Sequence, residues 1–265
     1  RQMCIRDSLK YDWCDTENIN PVGAYTTMRD ALFSAGRPIV FSICEWGDNK
    51  PWAWAKDVGH SWRTTGDIYP CWNCIHNHGS WASRGVLPIL DLQEGLRKFA
   101  GPGHWNDMDM MEVGNGMTED EDRAHFSLWA MLASPLIAGN DLRTMTEATR
   151  KILTNKDMIA INQDELGIQA MKWIDDGDIE LFIKPLTNGD YALLFLNRDD
   201  KPRNYTFVWQ DHYMKDDISQ HEIWFNKQSF QWRDIWRSGK GSTTKPYQTD
   251  IPAHGVVVLW LTPAS

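Results

Sequence analysis

The sequence predicts an α/β fold, a partial (β/α)8 barrel followed by a C-terminal antiparallel β-sandwich, and three observations lead there. Short apolar runs alternate with stretches of helical periodicity up to about residue 166. Polar or charged residues close each of those runs. From about residue 167 the pattern changes to short alternating strands broken by turn signals. Strands separated by helices pair in parallel, and a parallel barrel gathers its functional side chains at the strands' C-terminal ends.

The first run, SLKYDW at residues 8–13, sets Lys10 and Asp12 two apart on one strand face. In residues 22–36, Tyr25, Met28, Leu32 and Phe33 recur at helical spacing, with Gly36 as the C-cap. A second strand, residues 38–46, ends in Cys44, Glu45 and Trp46, and a third run, HSWRTTGD at residues 60–67, carries Arg63 and Asp67. A helix over residues 88–100, the run HWNDMDM at 104–110 with Asp107, Asp109 and Met110, a helix over 118–134 and a fifth strand at 135–141 complete this half. A closed barrel has eight strands, so about three βα units, and any leader, are expected ahead of this chain. The opening RQMCIRDS, residues 1–8, fits no strand–loop pattern and resembles translated sequencing-adapter sequence, so it is expected to be foreign to the fold.

After residue 167 come AMKWI, IELFIKPL, DYALLFLNR, RNYTFVW, HEIWF and GVVVLWL, punctuated by Asp176-Gly177 and Asn188-Gly189. This reads as a small antiparallel sandwich. The expected domains are therefore residues 1–166, the partial barrel, and 167–265, the sandwich.

Composition narrows the function. The chain has 265 residues, 42% hydrophobic, enough to bury a sizeable core. Its formal net charge of -9, with no basic run, argues against nucleic acid. No stretch approaches the roughly 20 apolar residues that membrane insertion by a helix needs. Fifteen tryptophans in an acidic chain fit carbohydrate handling, since sugars present flat C–H faces to indole, although most of these rings are expected in core packing. Five cysteines form an odd, scattered set. Cys71 and Cys74, in CWNC with His76 and His78 downstream, read as a local disulfide or free thiols, with half of a metal site as the rival.

The acids at strand ends are Asp12, Glu45, Asp67, Asp107 and Asp109. A ring of carboxylates converging on one barrel mouth is what glycoside hydrolysis requires. Reading Asp107, Asp109 and Glu112 as cation ligands lacks a loop of ligand spacing, and no metal or cofactor is expected. A helix cap or solvated loop would account for any one of these acids alone, less readily for five in succession.

Taken in order, LKYDWC, CEWG, SWRTTGDI, GPGHWNDMDMMEVGNG, ASPLIAGNDLR, NKDMIAINQDELG and IPAHGVVVLWL resemble glycoside hydrolase family 27, the retaining α-galactosidases and their relatives, over residues 9–261. The resemblance implies a retaining exo-glycosidase with Asp12 as nucleophile and Asp67 as general acid/base. It implies substrate contacts from Lys10, Cys44, Glu45, Trp46, Arg63, Asp109 and Met110, with Asp107 in support. Glu45 resembles the glutamate that favours a free 2-hydroxyl in the α-galactosidases, which makes terminal α-linked galactose the expected substrate. An α-N-acetylgalactosaminidase, a β-L-arabinopyranosidase, or an inactive fragment whose sandwich is structural or binds sugar remain the alternatives. The segment at residues 69–86 is longer than in the best-known eukaryotic members, and Trp72 and Trp81 in it either stack on further sugar rings or pack the loop on itself. The resemblance also implies that Cys14 lacks its usual partner, that the setting is periplasmic or secreted, and that a homo-oligomer is open.

Overall fold

The structure is a computed structural model that describes residues 7–264. The reading of residues 1–6 as foreign lies outside the described residues. Residues 7 and 8 already belong to the fold, since the Val40 amide donates to the Asp7 carbonyl at 2.7 Å and Ser8 opens the first strand.

The first of two compact units comprises residues 7–69 and 73–109. It contains β1 (Ser8–Asp12), α1 (Pro21–Ser34), β2 (Val40–Cys44), β3 (Ser61–Arg63), β4 (Ile75–Asn77), β5 (Ala82–Arg84), α2 (Val86–Asp91) and β6 (Trp105–Asp107). β1, β2, β3 and β6 form one sheet in that order, every pair parallel. Helix α1 starts where Asn20 Oδ1 accepts from the Gly23 amide and Pro21, which has no N–H to lose, fills the first turn. It buries Tyr25 against Phe41, Ile43 and Trp62, with Met28 and Leu32 alongside. Phe33 was expected on that face and is instead 88% exposed; one residue beyond Leu32 turns a side chain by about 100° around the axis. The helix expected over 88–100 is α2 followed by a 3₁₀ turn at Arg97–Phe99, because Gly95 between them adopts φ +77°.

The second unit comprises residues 70–72 and 110–264. The strand expected at 135–141 reduces to an isolated bridge between Met111 and Ala138. Pro135 has no amide to donate, and the pairing consists of Met111 N to Ile137 O and Gly139 N to Met111 O. Then come α3 (Glu119–Met131), α4 (Glu147–Leu153) and α5 (Lys156–Asn162). α3 opens on a reciprocal capping box between Thr118 and Glu121.

The strands β7 (Met171–Asp176), β8 (Ile179–Pro185), β9 (Tyr191–Asn197), β10 (Arg203–Phe207), β11 (Tyr213–Lys215), β12 (Glu222–Trp224), β13 (Phe230–Asp234), β14 (Lys240–Ser242), β15 (Tyr247–Ile251) and β16 (Val256–Pro263) follow. Six of them form an antiparallel sheet in the order β14-β13-β16-β9-β8-β7, and β10 with β15 and β11 with β12 make two ribbons. Leu181, Ile183, Leu193, Phe195, Phe207 and Trp209 lie in the common core. α3 lies against β9 and β16, so β9 is buried along its whole length and reads as an unbroken apolar run instead of an alternating one. The sequence reading passed over β11, β13, β14 and β15, whose exposed positions interrupt any apolar run.

Candidate active site

The parallel register brings the predicted residues to one end of the sheet. Asp12 pairs with Cys44 and Arg63 pairs with Asp107, so these four are the last residues of four adjacent strands. Glu45 and Trp46 follow β2 directly, Asp67 comes four residues after β3, and Asp109 two after β6. Lys10 and Asp12 share the exposed face of β1. The Asp12 carboxylate accepts from the Trp13 amide at 3.0 Å and from the Cys44 thiol, whose pKa burial pushes up to about 12 against the opposing charges of Arg63 and Lys10. Cys14 is a free, exposed thiol.

Arg63 ties the loops together and is only 1% exposed. Its Nη2 lies 2.8 Å from Asp109 Oδ2 and 3.3 Å from Asp67 Oδ1, and donates to the carbonyls of Thr65 and Gly66 at 3.1 and 2.8 Å. Burial alone would lower its pKa; the carboxylates of Asp109, Asp107 and Asp67 outweigh that and raise it. Asp109 Oδ2 also accepts from the Ile68 amide at 2.9 Å, and the Asp109 amide donates to Asp107 Oδ1 at 2.9 Å. To do so Asp109 adopts φ +84°, a conformation costly for a residue with a Cβ. Burial raises the pKa of Asp107, partly offset by Arg63.

Glu45 is fully buried. Its Oε2 accepts from the backbone and side-chain nitrogens of Asn49 at 2.7 and 2.8 Å, while its Oε1 is buried without a partner. Burial, only partly offset by Asn49, pushes its pKa up to about 7. Trp46, at φ +59°, turns outward and lines a cavity of about 700 Å³ with Trp52, Asp67 and Trp81. Met110 falls in the second unit, against Gly139. Trp72 is buried and stacks on His254, ring centroids 5.5 Å apart, so it packs on the turn before β16 and neither faces a sugar nor packs the loop on itself. Cys71 and Cys74 form a disulfide, which removes the thiolate pair that a metal reading needed. Among the described residues no three His, Cys, Asp or Glu side chains are placed to hold an ion, and no helix is long and apolar enough to cross a membrane.

The sequence reading missed two contributors. Tyr25 was placed only as core, yet its hydroxyl donates to the Tyr11 carbonyl at 3.2 Å, and its pKa is raised by burial and then by Cys44, Glu45 and Asp12. Asn49 lies in a loop with no periodicity, and only its position four residues after a buried acid could have pointed to it.

Comparison with known proteins gives two family matches along the chain. Residues 4–164 match the alpha galactosidase A model and residues 176–261 match the alpha galactosidase C-terminal beta sandwich domain. The chain belongs to glycoside hydrolase family 27, the α-galactosidase family. Within the family it is 73% identical to alpha-galactosidase A of Cellvibrio japonicus over 97% of this chain and 64% of that protein. It superposes on alpha-galactosidase I of Mortierella vinacea with a TM-score of 0.84 at 34% identity, covering 97% of this chain and 68% of the other. For the Saccharomyces cerevisiae α-galactosidase solved with raffinose the TM-score is 0.85 at 26% identity, over 97% and 72% of the two chains. The fold is thus the family's barrel plus sandwich, represented here by four parallel strands and the antiparallel domain. The chain spans 64% of the length of its Cellvibrio relative.

Proposed function

We propose that this chain carries the catalytic carboxylates of a retaining α-galactosidase that releases terminal α-linked D-galactose. The observation that carries the reading is the placement of Asp12 and the Arg63–Asp67–Asp109 cluster at one end of a single parallel sheet, in a chain whose similar relatives from Cellvibrio japonicus and Cyamopsis tetragonoloba are α-galactosidases. Asp12 attacks the anomeric carbon while Asp67 gives its proton to the departing glycosidic oxygen; Asp67 then takes a proton from water, which displaces Asp12 and restores the acid. That chemistry needs two carboxyl groups about 5–5.5 Å apart on different strands. Asp67 meets solvent, its side chain 49% exposed, where a leaving group and then water must reach it.

The remaining roles follow the surroundings. Lys10 shares the face of Asp12 and serves as a cationic donor to sugar hydroxyls. Arg63 and Asp109, both buried, hold one another beneath the sugar, Asp107 fixes the Asp109 backbone, and Cys44 supports Asp12. In this reading Glu45 stands by the sugar's free 2-hydroxyl, held in place by Asn49, with Trp46 as an apolar wall. Residues up to 166 form the catalytic domain in this reading and residues 167–265 the sandwich. The Cys71–Cys74 disulfide fits an oxidising compartment.

The test is hydrolysis of a panel of nitrophenyl glycosides by this chain preceded by the N-terminal segment of its Cellvibrio japonicus relative. Release from the α-D-galactoside is expected. Asp67→Asn should slow it by about 10²–10⁴-fold, and Asp12→Asn at least as much. Cleavage confined to β-L-arabinopyranoside or α-N-acetylgalactosaminide would overturn the substrate, and undiminished activity in Asp12→Asn would overturn the nucleophile.

A further inference from the structure

The cavity beside Asp67 extends well past that acid. Its volume of about 700 Å³ is within the range of small-molecule sites, roughly 300–1,000 Å³. Its walls include Asp67, Trp46, Trp52, Trp81, Ser80 and Arg84, but neither Asp12 nor Lys10. A cavity that touches the proton donor and not the nucleophile lies on the side from which the leaving group departs.

The far wall is the β4–β5 hairpin, and it is fastened to Asp67 by backbone. The Arg84 amide donates to the Asp67 carbonyl at 2.9 Å, and the Tyr69 amide donates to the Arg84 carbonyl at 2.8 Å. Gly66, just before Asp67, keeps the approach open, since a Cβ there would stand 3.0 Å from Arg84 Nη1. Trp81 is at the hairpin's tip, 51% exposed. A large indole held in water usually moves; this one is backed. It stacks on His78 with ring centroids 3.9 Å apart and planes 19° apart, His78 lies 4.6 Å from His76, and His76 stacks on Tyr69 at 4.5 Å and 6°. His78 is fixed in turn by a 2.9 Å hydrogen bond between its Nε2 and Ser83 Oγ, and the tip is closed by the His78 amide donating to the Trp81 carbonyl at 2.9 Å.

We infer that this hairpin is a binding platform for the leaving-group sugar, on which the exposed face of Trp81 stacks a pyranose ring and Ser80 and Arg84 supply hydrogen bonds. The inference rests on the galactosidase reading and adds a specificity-determining residue to it: Trp81 on its backed hairpin sets how strongly this chain favours a sugar leaving group over a small one.

The experiment compares two substrates on the chain completed as above: raffinose, whose leaving group is a disaccharide, and α-D-galactosyl fluoride, whose leaving group cannot stack and needs no proton. Trp81→Ala should raise KM for raffinose about tenfold, as the loss of one aromatic contact implies, with kcat/KM on the fluoride unchanged; Trp81→Phe should restore most of the loss. Equal losses on both substrates, or an unchanged KM for raffinose, would overturn the platform. Failure of the unsubstituted protein to cleave the fluoride would remove the galactosidase reading and the platform with it.

Discussion

Arg63 is 1% exposed and has no neutral form to retreat to, because a guanidinium stays protonated in a protein. Its burial is tolerated only because Asp109, Asp67 and two carbonyls surround it. A buried charge so held is strongly destabilised by loss of a partner, and a lysine ammonium, which lacks the fork's outer nitrogens, ends one atom short of the Nη2 that makes these contacts. Arg63→Lys should therefore cost about 3 kcal/mol of stability, read as a lower urea midpoint for unfolding. A midpoint equal to that of the unsubstituted protein would show that charge alone, without the fork, holds the cluster. The sequence marked Arg63, Asp67 and Asp109 as neighbours in function through motif resemblance; it could not show that one guanidinium nitrogen serves them both, because the spacing from residue 63 to residue 109 says nothing until the β3–β6 register is formed.

At the scale of elements, the loops after β2 and β3 are pressed against each other at Gly47. This glycine adopts φ +82°, and a Cβ there would overlap the Thr64 carbonyl, whose carbon would lie 2.8 Å from it. Both the left-handed backbone and the missing Cβ are thus required, and the contact is backbone, which cannot swing aside. Gly47→Ala should displace the Trp46 loop from the Thr64–Asp67 segment, lowering both the thermal midpoint and the activity, whereas Gly79→Ala, also at positive φ but with open space around it, should affect only the hairpin tip. Similar midpoints for the two variants would mean that the loops do not depend on this approach. The existence of the parallel strands was legible in this half because each is an apolar run with a polar end, whereas β4 and β5, three residues each with β4 fully exposed, carry no such run and were missed. Strand ends and breaks were not: Gly95 split one expected helix, and residues 135–141 had the composition of a strand but kept only a single bridge. In the sandwich, β8, β9 and β16 were legible for the same reason as the parallel strands, while β13 to β15 needed their partners before any pattern showed.

At the scale of the molecule, each unit holds a carboxyl group whose pKa burial and partners move, and the two move in opposite directions. In the first unit, burial raises Glu45 from 4.5 to about 7. The folded state therefore holds its proton more tightly than the unfolded chain, so its stabilising contribution is complete below pH 4.5 and disappears as the pH climbs through about 7. In the second unit, burial would raise Glu121, but the Thr118 amide and the His254 ring outweigh it and hold Glu121 below its ordinary 4.5. That contribution is present above 4.5 and is lost as the pH falls through the lowered value. Glu121 closes a long-range connection in its unit: His254 Nδ1 meets Glu121 at 2.8 Å while its Nε2 meets Asp200 at 2.7 Å, joining the start of α3 to two loops of the sandwich. Thermal midpoints measured from about pH 3 to 8 should separate the two groups. Glu45→Gln should gain on the unsubstituted protein progressively above about pH 5, because it keeps an acceptor for Asn49 and has no charge to bury. Glu121→Gln should fall below it above about pH 5 and converge with it in acid. If both variants ran parallel to the unsubstituted protein at every pH, neither carboxyl would be titrating differently in the folded and unfolded states, and the burial of Glu45 together with the Glu121–His254–Asp200 connection would have to be energetically neutral.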